Sequence, residues 1–380
     1  MASGSGSGVV DVAVVGAGPA GAASALRVLQ LRPDARVLLL DAAAFPRDKT
    51  CGDGISAHVL ELLEALGVRG LDELGPEVAG MRLRSPRGRV VARPCARPNR
   101  VIPRQVFDAH LVAAAVDKGA HLVRRRVRGI EVRDSHVVLD GEIAARVVIG
   151  ADGANSTIRR LLGAPRTPPA STAVAIRGYA PTVLDRDALV IEFSAGAYLA
   201  YAWSFPLWEG SNVGFGVFDR RGGTSRAELL DRLDELLPGH APDPATVRGH
   251  HLPLSTGPRH HPDGRVLLAG DAAALVNPLT GEGIFDAVAS GVLAGRAALQ
   301  GGAAGAAHRE AMSRSFGRHH RHTALMAGLV PHARFLDAAI SAAARSQRVF
   351  DAAVDLGLGR GTATVHALAS VVGRYVTLSG

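Results

Sequence analysis

The sequence predicts an α/β fold. It reads as a parallel sheet covered by helices, interrupted by an inserted, mainly antiparallel sheet and followed by a helical C-terminal region. Three observations point there. Short apolar runs of the kind buried in parallel sheets recur at 9–15 ("VVDVAVV"), 35–41 ("ARVLLLD"), 146–153 ("RVVIGADG") and 264–273 ("GRVLLAGDAA"). Between the last two, residues 171 to 218 hold segments with the partial alternation of strands that have one covered face. Residues 305 to 376 are Ala-rich and helical in pattern, broken at Pro331 and around "GLGRG".

Taken in order, the first run ends in glycine, a helix follows at about 19–31, and "RPD" ends it before the second run. Strand, tight turn, helix and strand make a right-handed βαβ unit. "RVIPR" at 100–104 leads into a helix that ends near Gly119. The middle strands are "STAVAIRGY", "ALVIEFS", "AYLAYAWSFPL" and "SNVGFGVF", followed by helices at 224–237 and about 282–300. The parallel-type strands near 10, 40, 148 and 267 lie far apart, so the first domain is discontinuous: 9–80, 100–165 and 259–300. The inserted sheet domain takes 81–99 and 166–258, the C-terminal region 301–380, and residues 1–8 form a disordered tail.

Composition narrows the function. With 47% hydrophobic residues in 380, a large core is available, and it is aliphatic because aromatics are only 4%. The net charge of +8 does not indicate nucleic acid: only two of 43 basic residues are lysines, and no basic stripe is interleaved with stacking aromatics. Two cysteines cannot form a disulfide framework and fit a reducing cytoplasm. "MASGSGSG" has neither the charged nor the apolar region of a signal peptide, and no uncharged apolar stretch has membrane-spanning length. The expected location is cytoplasmic.

"GAGPAG", residues 16–21, has the G-x-G-x-x-G spacing between an apolar strand and a helix, the Rossmann-type setting. Gly16 permits the tight turn, Gly18 lets a pyrophosphate approach the helix N-terminus, and Gly21 lets helix and strand pack closely. Asp41, at the end of the second strand, can accept from a ribose 2′-hydroxyl and repels a 2′-phosphate, which favours FAD or NAD over NADP. "GADGANSTIRR" (150–160) is a strand end, an Asp-Gly turn with Asp152, and a helix start. "LLAGDAAALVNPLTGEGIFDAV" (267–288) places Gly270 and Asp271 after a strand and opens a helix at Gly281, Glu282 and Gly283. Asp271 can hold a ribityl or ribose hydroxyl, and the Gly281 and Gly283 amides can face an anionic ring edge with the helix dipole behind them.

These three motifs, in this order and spacing, resemble the FAD-dependent hydroxylase superfamily of para-hydroxybenzoate hydroxylase fold, over about residues 9 to 300. Within it, "KTCGDGIS", "PRQVFDAHL", "YAWSFPL" with "SNVGFGV", and "NPLTGEGI" are similar to the geranylgeranyl reductase family. The resemblance implies FAD at Gly16, Gly18, Ala20, Gly21, Asp41, Arg47, Gly52, Gly54, Arg104, Asp152, Gly270, Asp271, Pro278, Gly281, Glu282, Gly283 and Ile284. It implies hydride transfer from reduced flavin to carbon–carbon double bonds of a prenyl or polyene substrate. The alternatives on the same scaffold are a monooxygenase that hydroxylates or epoxidises, a flavin halogenase, and a non-redox flavin-templated cyclase. Asp41 departs from the glutamate more usual there, the first tryptophan of the halogenase W-x-W-x-I-P block is missing, and the last 70 residues match no family block. With a single glycine fingerprint, electrons come from transient NAD(P)H or from an external donor such as a separate reductase or ferredoxin. The other expected partner is a hydrophobic isoprenoid or polyene, with peripheral membrane contact open.

The resemblance places Cys51 beside the isoalloxazine. It acts as a proton donor or gate, its pKa lowered by Lys49 and Arg47, or the loop only needs a small residue there. Tyr201, Trp203 and Phe205 share a strand face, either as the roof of the substrate pocket or as core. His319, His320 and His322 read as a solvated helix face, and no metal site is expected.

Overall fold

The computed structural model describes residues 8–218, 223–257 and 260–378. Of the expected tail, all but Gly8 lies outside them. The first apolar run forms β1 (Val10–Val15), the glycine turn leads into α1 (Pro19–Leu31), and the chain returns in β2 (Val37–Asp41). Val12, Ala13 and Val14 are buried, as in a strand covered on both faces. A second sheet begins with β3 (Gly54–Ile55), then α2 (Ala57–Ala65), β4 (Glu77–Arg84) and β5 (Val90–Val101). α3 (Arg104–Asp117) leads back to β6 (His121–Arg124), β7 (Ile130–Val132), β8 (Val137–Leu139) and β9 (Ile143–Gly150) of the first sheet. After α4 (Thr157–Leu161) come β10 (Thr172–Ala180), β11 (Ala188–Phe193), β12 (Ala200–Pro206), β13 (Ser211–Val217), α5 (Arg226–Leu236) and β14 (Arg248–Pro253). β15 (Val266–Leu268) and α6 (Ile284–Ala298) complete the first layer. Four helices end the chain: α7 (Ala304–Leu329), α8 (Ala333–Arg345), α9 (Gln347–Leu358) and α10 (Val365–Thr377).

The first sheet has the order β6-β2-β1-β9-β8-β7, with β15 also on β9, and its β1, β2, β6, β9 and β15 pair in parallel. The second has the order β14-β10-β13-β12-β11-β4-β5-β3 and is antiparallel apart from β4 against β11. β4 opens at Glu77 and β5 closes at Val101, so this sheet extends beyond 81–99 on both sides. One core cluster fills the parallel sheet and its helices, and another joins β4, β5, β11 and β12 to α8 and α9.

Three features depart from the sequence reading. α2 and the short β6–β8 segment were not foreseen, because each is brief and carries charged residues within its span. The run at 264–273 is a strand only over Val266–Leu268 and then a 3-10 turn over Gly270–Ala273. His319 and His320 are buried rather than solvated: His319 Nδ1 bonds the Gly361 carbonyl (2.7 Å) and His320 stacks on Phe316. The helix turns that face toward α6 and the loop before α10, so the rings fill core.

Candidate active site

A cavity of about 570 Å³ runs from the β1–α1 turn, past the 47–56 loop, to an apolar chamber between the second sheet and α8–α9. At its first end the glycine turn is built as the spacing requires. Gly16 has φ +99°, and a Cβ on Gly21 would lie 1.8 Å from the Gly16 carbonyl oxygen, so strand and helix cross at contact. Gly18 lines the cavity, and a Cβ there would meet only Arg47 Nη2 at 3.5 Å, so it would fill the cradle rather than clash. Asp41 ends β2 at the same wall. Its Oδ2 accepts the Ala17 N–H and its Oδ1 the Ala43 N–H, both at 2.8 Å, which shapes the turn and leaves one lone-pair direction on each oxygen.

Four expected cofactor residues take other parts. Gly21, Gly270 and Pro278 do not line the cavity. Gly21 serves the crossing, the Gly270 N–H donates to Ser290 Oγ (2.9 Å), and Pro278 is buried in the turn before α6. Asp152 lines the cavity, but Ser156 Oγ (2.5 Å), the Thr157 N–H (2.6 Å) and the Ile158 N–H (3.1 Å) all donate to its carboxylate. It caps α4.

In the middle of the cavity, the Asp271 carboxylate accepts no protein hydrogen bond among the described residues, and burial raises its pKa against the pull of Lys49 and Arg104. A carboxylate open to the cavity suits a polyol hydroxyl. The α6 turn corrects the sequence reading. The Gly281 N–H is spent on the Asn277 carbonyl (2.9 Å), while the Gly283 N–H has no protein acceptor among the described residues. Glu282 caps its own helix through the Phe285 N–H (2.8 Å), and burial beside Asp286 pushes its pKa up to about 8. Protonated Glu282 leaves the Gly283 amide and the helix dipole facing the cavity without a competing charge.

Cys51 lies where the cofactor-type end meets the apolar chamber. The Arg104 guanidinium and the Asp53 N–H both favour its anion. Its pKa is nevertheless raised, because burial outweighs Arg104, so the expectation of a thiolate activated by Lys49 and Arg47 is not met. Lys49 is itself buried, which lowers its pKa to about 8. Arg104 sits on Asp108 through Nε–Oδ1 (2.6 Å) and Nη2–Oδ2 (2.8 Å), and Arg47 also reaches Asp108 (3.1 Å). Cys51 thus rests as a neutral thiol whose anion Arg104 and the Asp53 N–H would favour.

Asp53, next along the loop, was not singled out from sequence. It is fully buried at φ +63°, and the Arg104 N–H (3.2 Å), Tyr179 Oη (3.0 Å) and Asn212 Nδ2 (2.8 Å) donate to its carboxylate. Asn212 Nδ2 also donates to the Cys51 carbonyl (2.9 Å), and Trp203 Nε1 donates to Asn212 Oδ1 (2.9 Å). Burial raises the Asp53 pKa to about 6 against these donors. The only sequence signal was a carboxylate between two glycines; its side-chain partners lie on β10 and β13, far along the chain.

Tyr201, Trp203 and Phe205 line the cavity from β12; Tyr201 and Trp203 are buried in the core cluster and Phe205 packs against it. Tyr201 Oη donates to the Thr280 carbonyl. The opposite wall is Ala343 of α8 with Phe350, Ala353, Val354, Gly357 and Leu358 of α9. Gly52 and Gly54 line the loop side, where Cβ atoms would press on the Phe205 ring at 3.1 and 3.3 Å. Ala20, Arg47, Arg104 and Ile284 also line the cavity.

The family description FAD binding domain matches residues 9–204. The chain is 32% identical over 317 residues to a menaquinone reductase of Mycolicibacterium smegmatis, covering 77% of each. It is 36% identical over 315 residues to digeranylgeranylglycerophospholipid reductase 1 of Methanopyrus kandleri, covering 76% of this chain and 80% of that protein. In fold it resembles a geranylgeranyl bacteriochlorophyll reductase-like protein of Thermoplasma acidophilum, with a TM-score of 0.78, 22% identity and 97% of each chain covered.

Proposed function

We propose, from the premise that this chain belongs to the geranylgeranyl reductase family of FAD-dependent oxidoreductases, that it reduces carbon–carbon double bonds in a prenyl or polyene chain. Two relatives named as reductases, of menaquinone and of a digeranylgeranyl lipid, support a long apolar substrate. The observation that carries the reading is the junction at Cys51, where a polar cradle opens into an apolar chamber with a neutral thiol between them.

Gly16, Gly18, Asp41, Asp271 and Gly283 are the residues we assign to FAD. Reduced FAD supplies the hydride when bound. Cys51 delivers the proton to the neighbouring carbon: the π bond and the Cys51 S–H bond break, the two carbons gain one hydride and one proton, and a thiolate remains to be reprotonated. Arg104 and the Asp53 N–H then hold the thiolate left behind. Tyr201, Trp203, Phe350 and Val354 orient the chain and exclude water from the chamber. Electrons arrive from transient NAD(P)H or an external donor, a reading supported by the single glycine fingerprint.

The test is anaerobic photoreduction of the purified flavoprotein, followed by mixing with a polyprenyl menaquinone or a geranylgeranyl glycerolipid. Flavin reoxidation with a product two mass units heavier per bond reduced is expected. Substrate-dependent oxygen consumption with an oxygenated product would replace this reading with a monooxygenase.

A further inference from the structure

The C-terminal helix α10 has an inner and an outer apolar face. Its inner face, at Val371 and Ala367, packs into the cluster that contains Phe350 and Trp203. Its outer face carries Val365 (85% exposed), Leu368, Val372 (60%) and Val376 (64%). At about 100° per residue these fall in one stripe about 80° wide, turned away from the packed face. Burial of α10 against the body of the protein does not explain this stripe.

The charges in its own stretch of chain are of one sign. From Leu356 to the end of the chain there is no Asp or Glu, while Arg360, His366 and Arg374 are present. Arg334 of α8 adds a guanidinium over the Tyr375 ring, 5.5 Å from its centroid. Near the head of α10, His322 accepts the Ala363 N–H (3.1 Å), and one turn beyond it Leu325 is exposed. An apolar stripe with Arg334 beside it, on a stretch of chain whose charges are basic, fits the interface of an anionic bilayer, where apolar burial and basic attraction add. A second copy of the chain fits less well: a stripe on a helix about 20 Å long falls short of the ~800 Å² per partner of a stable interface. No helix among the described residues is long and apolar enough to cross a membrane.

We infer that the outer face of α10 is a docking surface for an anionic lipid bilayer and sets the α8–α9 end of the cavity against the membrane. α10 packs on α8 and α9, whose Ala343, Phe350 and Val354 line the apolar chamber, so docking there brings the chamber wall to the lipid. The choice of a bilayer rests on the reading of a lipid-like substrate.

The test is co-sedimentation of the full-length flavoprotein with large vesicles of phosphatidylcholine, with and without one-third phosphatidylglycerol. Binding to the anionic vesicles is expected, weakened by 0.5 M salt through screening. The triple variant Val365→Ser, Val372→Ser, Val376→Ser should bind them about tenfold or more weaker, with its FAD content and its turnover of a detergent-dispersed acceptor unchanged. In Val376→Trp, the new indole should shift to the blue on vesicle addition. Wild type that stays in the supernatant, or a triple variant that sediments equally, overturns the inference. So does sedimentation velocity showing a wild-type dimer that the triple variant converts to monomer, because a second copy then covers the face. No turnover of any dispersed acceptor, with vesicle binding intact, strikes the proposed reaction and leaves the docking surface standing.

Discussion

In the proposed reaction the proton on Cys51 is held by burial, and the charges around it act after it leaves. Desolvation keeps the thiol neutral at rest, while Arg104 and the Asp53 N–H favour the anion once the proton has been given up. Cys51→Ser is therefore expected to keep FAD and a near-native melting temperature, and to slow reoxidation of reduced enzyme by the alkene by about 10²- to 10⁴-fold. Stopped-flow measurement of the two half-reactions separates them; an unchanged oxidative step would leave Cys51 as a small residue that a close-packed loop requires. Glu282 gives a second prediction at this scale. Its pKa rises from 4.5 to about 8 in the fold, so the folded state binds the extra proton and stability falls as pH rises through that interval. Glu282→Gln keeps the acceptor for the Phe285 N–H and has no charge to bury. Between pH 4.5 and 8 its melting temperature should gain steadily on that of the wild type; parallel curves would show that Glu282 is ionised in the native cavity.

At the scale of elements, two carboxylates at the ends of neighbouring strands have separate duties. Asp152 after β9 receives three donors from the start of α4, whereas Asp271 after β15 receives none among the described residues and faces the cavity. Asp152→Ala should cost about 2 kcal/mol of stability, the upper range for a lost cap, and retain FAD. Asp271→Ala should release FAD and change the melting temperature of the flavin-free protein little. Thermal melts and flavin absorbance on both variants decide it, and flavin loss from Asp152→Ala without destabilisation would reverse the assignment. The 47–56 loop is held in the same way by whole elements: α3 contributes Arg104, β10 Tyr179 and β13 Asn212, so the loop is clamped between α3 and the second sheet.

At the scale of the molecule, the cavity belongs to no single layer. The parallel sheet forms the cradle, the second sheet the aromatic wall, and α8–α9 the far side. The C-terminal helices therefore bear on the length of chain the chamber accepts. Val354→Trp adds bulk to that wall at a partly exposed position, and it should reduce turnover of long polyprenyl acceptors more than that of short ones with FAD binding unchanged. The ratio of kcat/KM for a geranylgeranyl and a geranyl acceptor checks this; an equal loss for both would mean that the chain does not pass Val354.

What the sequence determined by itself was local or strictly spaced. The βαβ unit around Gly16, Gly18 and Gly21, the parallel strands, α6 after the Gly281–Gly283 turn and the helical end are encoded in neighbouring residues, because backbone conformation and apolar periodicity are read over a few positions. Tertiary structure decided what depends on groups distant in the chain. The thiol of Cys51 stays neutral because burial outweighs Arg104, and the Asp53 clamp needs Tyr179 and Asn212, more than 120 residues away. The amide of Gly281 and the carboxylate of Asp152, by contrast, are consumed by partners only four to six residues away, contacts that the local turn sets and the residue types alone do not show. Desolvation and the closing of a cavity arise when separate elements pack, and a one-dimensional pattern of residue types does not contain them.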